Sequence, residues 1–357
     1  MTLGIYGAGP WGQALYRVLS QKGIKVDFFI DQYKPQKELF GIPIYRLQNA
    51  PREAEIFVSI PSLPSFPDEI KPFLEKIFPP TKEQLKRLGF KEVYSFKETV
   101  KLHPRLIDEL LPFYSFRLRP IPKGIFENLK TLFKDEESLK TLERIKKFRE
   151  NPTAENYPFP SQEVQYFPSF VREYFNDKKV RFVDMGAFKG DTLAWLLYLF
   201  KEKVEEIFAL EPIREFIEDI HQVLGFFEKK SPFRATVIPA GVREETSVLK
   251  FQEMGSSSAI SQEGREVPVF KPDEVLLFAK PNFIKMDIEV AELPALKGAE
   301  KPIRKYRPLL AISVYHKAED LWKIPFWIKE NFPFYGFKLR WHGHMLNEII
   351  LYCIPQN

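Results

Sequence analysis

Several acids and one histidine stand where apolar, strand-like runs end, the edge from which open parallel sheets present side chains to ligands. Asp184 closes Val180-Arg-Phe-Val-Asp184 and opens a glycine loop, Asp184-Met-Gly186-Ala187-Phe-Lys-Gly190-Asp191-Thr192. Glu211, followed by Pro212, closes the run Ile207-Phe-Ala-Leu, 21 residues beyond Gly190. Glycines let backbone approach a ligand closely. An acid at the position of Glu211 can accept hydrogen bonds from two adjacent ribose hydroxyls. A loop tuned for pyrophosphate would offer helix amides and no acid beside the glycines. Asp184 therefore predicts a ligand with a cationic end, which suits S-adenosylmethionine better than a dinucleotide. The bland alternative is a doubly wound sheet whose strand ends carry acids without function. One acid alone would not outweigh it; the spaced pair does.

Two further strand ends carry acid–base groups. Asp287 and Glu289 lie in Phe283-Ile-Lys285-Met-Asp287-Ile-Glu289, and His316 follows Leu309 to Tyr315. With an ordinary value near 6.5, His316 could take a hydroxyl proton at neutral pH. Asp287 and Glu289 could orient it, bind an acceptor or ligate a divalent ion. Against this, Glu289 and Glu292 suit the first turn of a helix, and His316 could simply cap its strand. His342 and His344 alternate and would share one face of a strand. With no third ligand nearby in sequence, zinc is not expected, and His342 is a candidate acceptor contact. Ala240 and Gly241 follow a third strand-like run, Ala235 to Pro239, and Gly255-Ser256-Ser257-Ser258-Ala259 reads as a loop.

The elements that must hold these residues alternate. In the second half, strands are expected at Val180–Asp184, Glu206–Leu210, Ala235–Pro239, Asn282–Met286 and Leu309–Tyr315, with a final antiparallel pair, Gly336–Trp341 and Glu348–Ile354. Alternating strands and helices imply a parallel sheet with right-handed crossovers. The N-terminus shows the same alternation. Leu3–Tyr6 enters Gly7-Ala-Gly9-Pro-Trp-Gly12, a helix follows, and a strand from Lys25 to Ile30 ends at Asp31. That context allows a nucleotide site at Gly7, Gly9, Gly12 and Asp31. A tight turn without nucleotide function fits equally well. Between the halves prolines cluster, and a helical pattern runs from Phe126 to Arg149. The expected organisation is residues 1–65 as an N-terminal Rossmann-like domain, 66–160 as a helical, proline-rich connector and 161–357 as a second α/β domain.

Composition narrows the class. Of 357 residues, 53 are basic and 48 acidic, a net +5 with no basic block, so nucleic acid is not an expected partner. The single Cys353 excludes an internal disulfide. No apolar run reaches the roughly 18 to 20 residues of a membrane span, and a cytoplasmic protein is expected.

Taken in order, Asp184 to Thr192, Glu211-Pro212, Lys285-Met-Asp287-Ile-Glu289 with Glu292, Leu296-Lys-Gly298-Ala299 and Arg307-Pro308-Leu309 to His316 resemble FkbM-type methyltransferases over residues 160–355. The resemblance implies a seven-stranded Rossmann-like methyltransferase sheet with S-adenosylmethionine at its strand ends. It places Asp184, Gly186, Ala187, Gly190, Glu211, Pro212 and Ala240 or Gly241 at the cofactor. It further implies an O-methyltransferase acting on a hydroxyl of a sugar or glycan, with Asp287 and His316 as catalytic groups. Val290 stands where the family has glycine, which could narrow the site beside Asp287. A non-catalytic nucleotide-sensing or scaffold protein, and an NAD(P)-dependent oxidoreductase using Gly7, Gly9 and Gly12, are the competing expectations.

Overall fold

The structure, a computed structural model, describes residues 2–32, 34–60, 66–78, 82–158, 160–252, 259–260 and 265–356. The chain forms two compact units, residues 1–118 with 147–159, and residues 119–146 with 160–357.

In the first unit, six strands form one sheet: β1 (Leu3–Tyr6), β2 (Phe28–Ile30), β3 (Glu38–Leu39), β4 (Ile42–Tyr45), β5 (Glu55–Val58) and β6 (Glu92–Tyr94). Their order is β3-β4-β2-β1-β5-β6, parallel except for the β3–β4 hairpin. β1 is buried on both faces, as a central parallel strand must be. Tyr6, Phe28, Ile30, Ile56, Val58, Leu85 and Val93 share one core. The stretch 66–160 thus supplies β6 to this sheet, and its remaining helices divide between the two units.

The second unit carries the longer sheet: β7 (Val180–Met185), β8 (Val204–Leu210) and β9 (Arg234–Ile238), then, past a small separate sheet, β14 (Phe283–Met286), β15 (Leu309–Ser313), β16 (Tyr335–Trp341) and β17 (Ile349–Pro355). The small sheet consists of β10 (Gly241–Val242), β11 (Ser247–Gln252), β12 (Ala259–Ile260) and β13 (Arg265–Phe270). The seven-stranded order is β16-β17-β15-β14-β7-β8-β9. Parallel pairing runs from β9 to β15, and β17 is antiparallel to β15 and β16. The sheet expected from the strand-like runs is present. Strand order reverses between β7 and β14, so the glycine loop after β7 sits at the switch point, where open sheets bind ligands.

Two local readings change. The helical run from Phe126 to Arg149 is two helices, Lys123–Leu132 and Glu136–Glu150. Phe133 leaves the helix to bridge Phe337, and the Asp135 carboxylate accepts the Ser138 amide at 3.2 Å, so Asp135 starts a new helix. The loop expected at Gly255–Ala259 lies outside the described residues apart from Ala259, which opens β12.

Candidate active site

The glycine loop is fastened on both sides. The Gly186 and Ala187 amides both donate to the Leu210 carbonyl at the end of β8, at 3.0 and 3.1 Å. Gly186 has φ +83°, and a Cβ there would lie 1.9 Å from the Asp287 carbonyl oxygen. Glycine at 186 is therefore required by both backbone conformation and close approach. Gly190, at φ +82°, caps the helix Asp191–Phe200.

Beneath the loop, Lys285 and Asp184 are register partners on adjacent strands, β14 and β7. The Lys285 Nζ lies 2.9 Å from Asp184 Oδ1 and also donates to the Gly186 carbonyl. Both side chains are buried, 4% and 0% exposed. Burial lifts the Asp184 carboxyl to about 6, less than it would without Lys285. Burial works against the Lys285 charge too, but the acids around it, Asp184 foremost, raise its value overall. This corrects the sequence expectation for Asp184: the ammonium it receives is that of Lys285, and its role is to hold the loop from below. Asp191 stands partly exposed at the start of the following helix.

Glu211 stands at the end of β8 as expected. Its Oε2 accepts the Phe188 amide at 2.8 Å and its Oε1 the Ile213 amide at 3.0 Å. Burial raises its carboxyl to about 7, opposed by those two amides. A carboxylate offers about four lone-pair directions, so one on each oxygen remains for a ligand. Pro212 follows directly, and Ala240 and Gly241 lie past the end of the neighbouring β9, with Ala240 buried.

Asp287 and His316 do meet. His316 is buried; its Nδ1–H donates to Glu292 Oε1 at 2.8 Å, and its Nε2 lies 3.4 Å from both Asp287 Oδ1 and Glu289 Oε2. Burial alone would depress the imidazole, but Glu292, Asp287 and Glu289 together raise it to about 10. The ordinary value assumed from sequence does not apply, because the acids around His316 favour positive charge at this place. Asp287 is the counterpart: burial disfavours its charge, yet His316, Lys285 and the Tyr166 hydroxyl hold it below the usual carboxylate range. Tyr166 donates to Asp287 Oδ2 at 2.7 Å, and the Tyr315 hydroxyl lies 3.3 Å from Asp287 Oδ1 and 3.3 Å from Glu348 Oε1. Burial and the neighbouring Asp287 push Glu348 up to about 7.

Both ring nitrogens of His342 have partners within the second unit. The residue lies just past β16 rather than on a strand face shared with His344. Its Nδ1 faces the Glu163 carbonyl at 3.3 Å and its Nε2 the Tyr352 hydroxyl at 2.9 Å. Burial lowers it to about 4, so it is neutral, with Nδ1 as donor and Nε2 as acceptor. One nitrogen thus ties His342 to β17 and the other to the segment that precedes β7. Tyr166, Tyr315 and Glu348 are site groups that sequence reading did not single out, and Glu292 was read there only as a helix first-turn acid and a motif residue. Tyr166 and Glu348 carry no motif, whereas Glu292 is in the acidic run and Tyr315 precedes His316.

In the first unit, Gly7, Gly9 and Gly12 form the expected turn. A Cβ at Gly12 would lie 1.9 Å from the Gly7 carbonyl, so packing explains that glycine; a Cβ at Gly9 would meet nothing within 4 Å among the described residues. Asp31 accepts the Ala8 amide of the glycine turn and the Lys34 amide of its own loop, at 2.9 Å each.

The comparisons with known proteins support a methyltransferase. Residues 184–342 match the family model described as the methyltransferase FkbM domain. An FkbM methyltransferase from Methylobacillus flagellatus KT is similar in structure, with 24% identity, a TM-score of 0.58, and coverage of 99% of this chain and 89% of that one. A precorrin-6y C5,15-methyltransferase from Geobacter metallireducens GS-15 (11% identity, 57% and 95% covered, TM-score 0.35) is more distant. So is a putative caffeoyl-CoA O-methyltransferase from Staphylococcus aureus (12%, 58% and 90%, TM-score 0.34), and neither likeness supports any inference. No curated protein matches the chain. Among the described residues no helix is long and apolar enough to cross a membrane.

Proposed function

We propose that the second unit transfers the methyl group of S-adenosylmethionine to a hydroxyl of a sugar or glycan. The observation that carries the cofactor is Glu211: a buried carboxylate, tied by one amide per oxygen, beside a glycine loop at the strand-order switch. Its remaining lone pairs suit the two ribose hydroxyls. Gly186 and Ala187 allow close approach of the methionine part, Asp191 suits its ammonium, and Ala240 and Gly241 suit the adenine end. The cofactor brings the reactive methyl; the protein supplies alignment for an in-line displacement.

On the acceptor side, Asp287 is ionised and placed by Tyr166 and Tyr315 to accept a hydrogen bond from an incoming hydroxyl. His316, anchored on Glu292, turns its Nε2 towards that carboxylate at 3.4 Å. The sugar or glycan acceptor rests on the resemblance to FkbM-type enzymes. The test is incubation with methyl-labelled S-adenosylmethionine and a panel of sugars, nucleotide sugars and glycans. Label in a methyl ether is expected, with turnover slowed about 100-fold in Asp287→Asn and His316→Gln. Label on nitrogen or carbon, or near-normal turnover in both variants, refutes these assignments.

A further inference from the structure

The two nitrogens of His316 face acids at different distances, and that difference has a physical reading. On one side Nδ1 stands 2.8 Å from Glu292, the separation of a charge-assisted hydrogen bond. Because a carboxylate only accepts, Nδ1 carries hydrogen, and in a neutral ring Nε2 then presents a lone pair. That lone pair points at two more acceptors, Asp287 Oδ1 and Glu289 Oε2, each 3.4 Å away. Nε2 makes no hydrogen bond among the described residues, although the side chain is only 2% exposed. Three electron-rich atoms converging at a nitrogen that is itself buried favour something positive between them.

A ring proton would draw one carboxylate in, as it has on the Nδ1 side. Neither has come in. A spacing of 3.4 Å instead matches the edge of a coordination sphere, since donors bonded at about 2.0–2.2 Å stand roughly 3.0–3.5 Å apart in octahedral or tetrahedral arrangements. The outer support is in place as well: a metal-bound imidazole ordinarily donates its other N–H to a carboxylate, which is the part Glu292 plays. Asp287, Glu292 and His316 bring donor atoms within 4.8 Å of one another.

We propose that Asp287 Oδ1, Glu289 Oε2 and His316 Nε2 form a divalent-cation site, with Glu292 as the carboxylate that fixes the imidazole. One nitrogen and two carboxylate oxygens suit Mn²⁺ or Zn²⁺ better than Ca²⁺. Glu289 is 44% exposed at its side chain, so the site has an open side for an acceptor oxygen. A cation there would bind a hydroxyl and ease loss of its proton, and the positive charge balancing the acids would be the cation's rather than a ring proton's. This deepens the methyl-transfer reading, on which its role towards the acceptor rests.

The experiment is calorimetric titration of chelator-stripped protein with Mn²⁺, with spin-echo spectroscopy of the bound ion and a parallel titration with S-adenosylhomocysteine. One ion per chain is expected. Asp287→Asn and Glu289→Gln should each weaken it at least tenfold, and His316→Gln should remove nitrogen coupling from the Mn²⁺ spectrum. Glu289→Gln alters an exposed side chain, so it stays informative if Asp287→Asn fails to fold. No saturable binding up to about 1 mM, the weak end of protein cation sites, overturns the proposal. So does unchanged affinity in Glu289→Gln, or a bound ion without nitrogen coupling in the wild type. Homocysteine-conjugate binding without Mn²⁺ binding would overturn the cation site and leave the cofactor reading standing; Mn²⁺ binding without it would do the reverse.

Discussion

Replacing Lys285 with methionine should destabilise the second unit in a pH-dependent way. The side chain makes two polar contacts in a dry place, 2.9 Å to Asp184 and a bond to the Gly186 carbonyl. Hydrogen bonds to charged groups contribute about 1.5–3 kcal/mol each. Removing one partner of a buried ion pair costs about 3–5 kcal/mol, because the other charge is stranded. We expect about 3–5 kcal/mol at pH 8, measured by urea unfolding. Asp184 already stands at about 6 in the fold against a usual 3.8. A carboxyl raised in the folded state binds its proton more tightly there, so its contribution is largest at low pH and is lost as pH rises through the folded value. Without Lys285 that folded value moves above 6. The penalty should therefore be smallest near pH 5, where Asp184 is neutral in both proteins. It should grow above pH 6 by at most about 1.4 kcal/mol per pH unit. Asp184→Leu combined with Lys285→Met should recover most of the loss. A cost below about 1 kcal/mol at pH 8, or one indifferent to pH, would refute this account of the pair.

Three other outcomes follow from the geometry. Val290 is a β-branched residue at φ +80° and 43% exposed. Val290→Gly should therefore raise stability by about 0.5–1 kcal/mol, strain relief of about 1–2 kcal/mol exceeding glycine's entropic cost; a lower denaturant midpoint would contradict it. Gly186→Ala should abolish S-adenosylhomocysteine binding, because its Cβ collides with the Asp287 carbonyl; calorimetry showing wild-type affinity would count against the loop as cofactor site. Since Glu211 stands at about 7 and must be ionised to accept hydrogen bonds from two hydroxyls, affinity should rise from pH 5.5 to about 7.5 and then level off. A flat profile would remove Glu211 from the contact.

Strand ends were legible because an apolar run closing on an acid leaves few places for that acid to lie. Glu211, Asp287 and His316 were found that way, and all stand at one edge of the sheet. The partner of Asp184 was not. Lys285 is its neighbour only because β14 lies beside β7, an adjacency set by topology across about a hundred residues. The value of His316 was misjudged for the same reason: Glu292 and Glu289 converge on it only when their strand end packs beside that of β15. Tyr166 enters from the proline-rich approach to the sheet, where spacing carries no period to read. The break at Asp135 had a local signal, an acid before Glu136 and Glu137, which a single helical period obscures.

The most direct test of the central claim is calorimetric titration with S-adenosylhomocysteine of the wild type, Glu211→Gln and Glu211→Ala, with thermal unfolding to confirm that all three are folded. Micromolar binding is expected in the wild type, weakened by about 1.5–3 kcal/mol in Glu211→Ala, roughly 10- to 150-fold. Absence of binding in the folded wild type, or equal affinity in all three, would contradict a cofactor site at the end of β8.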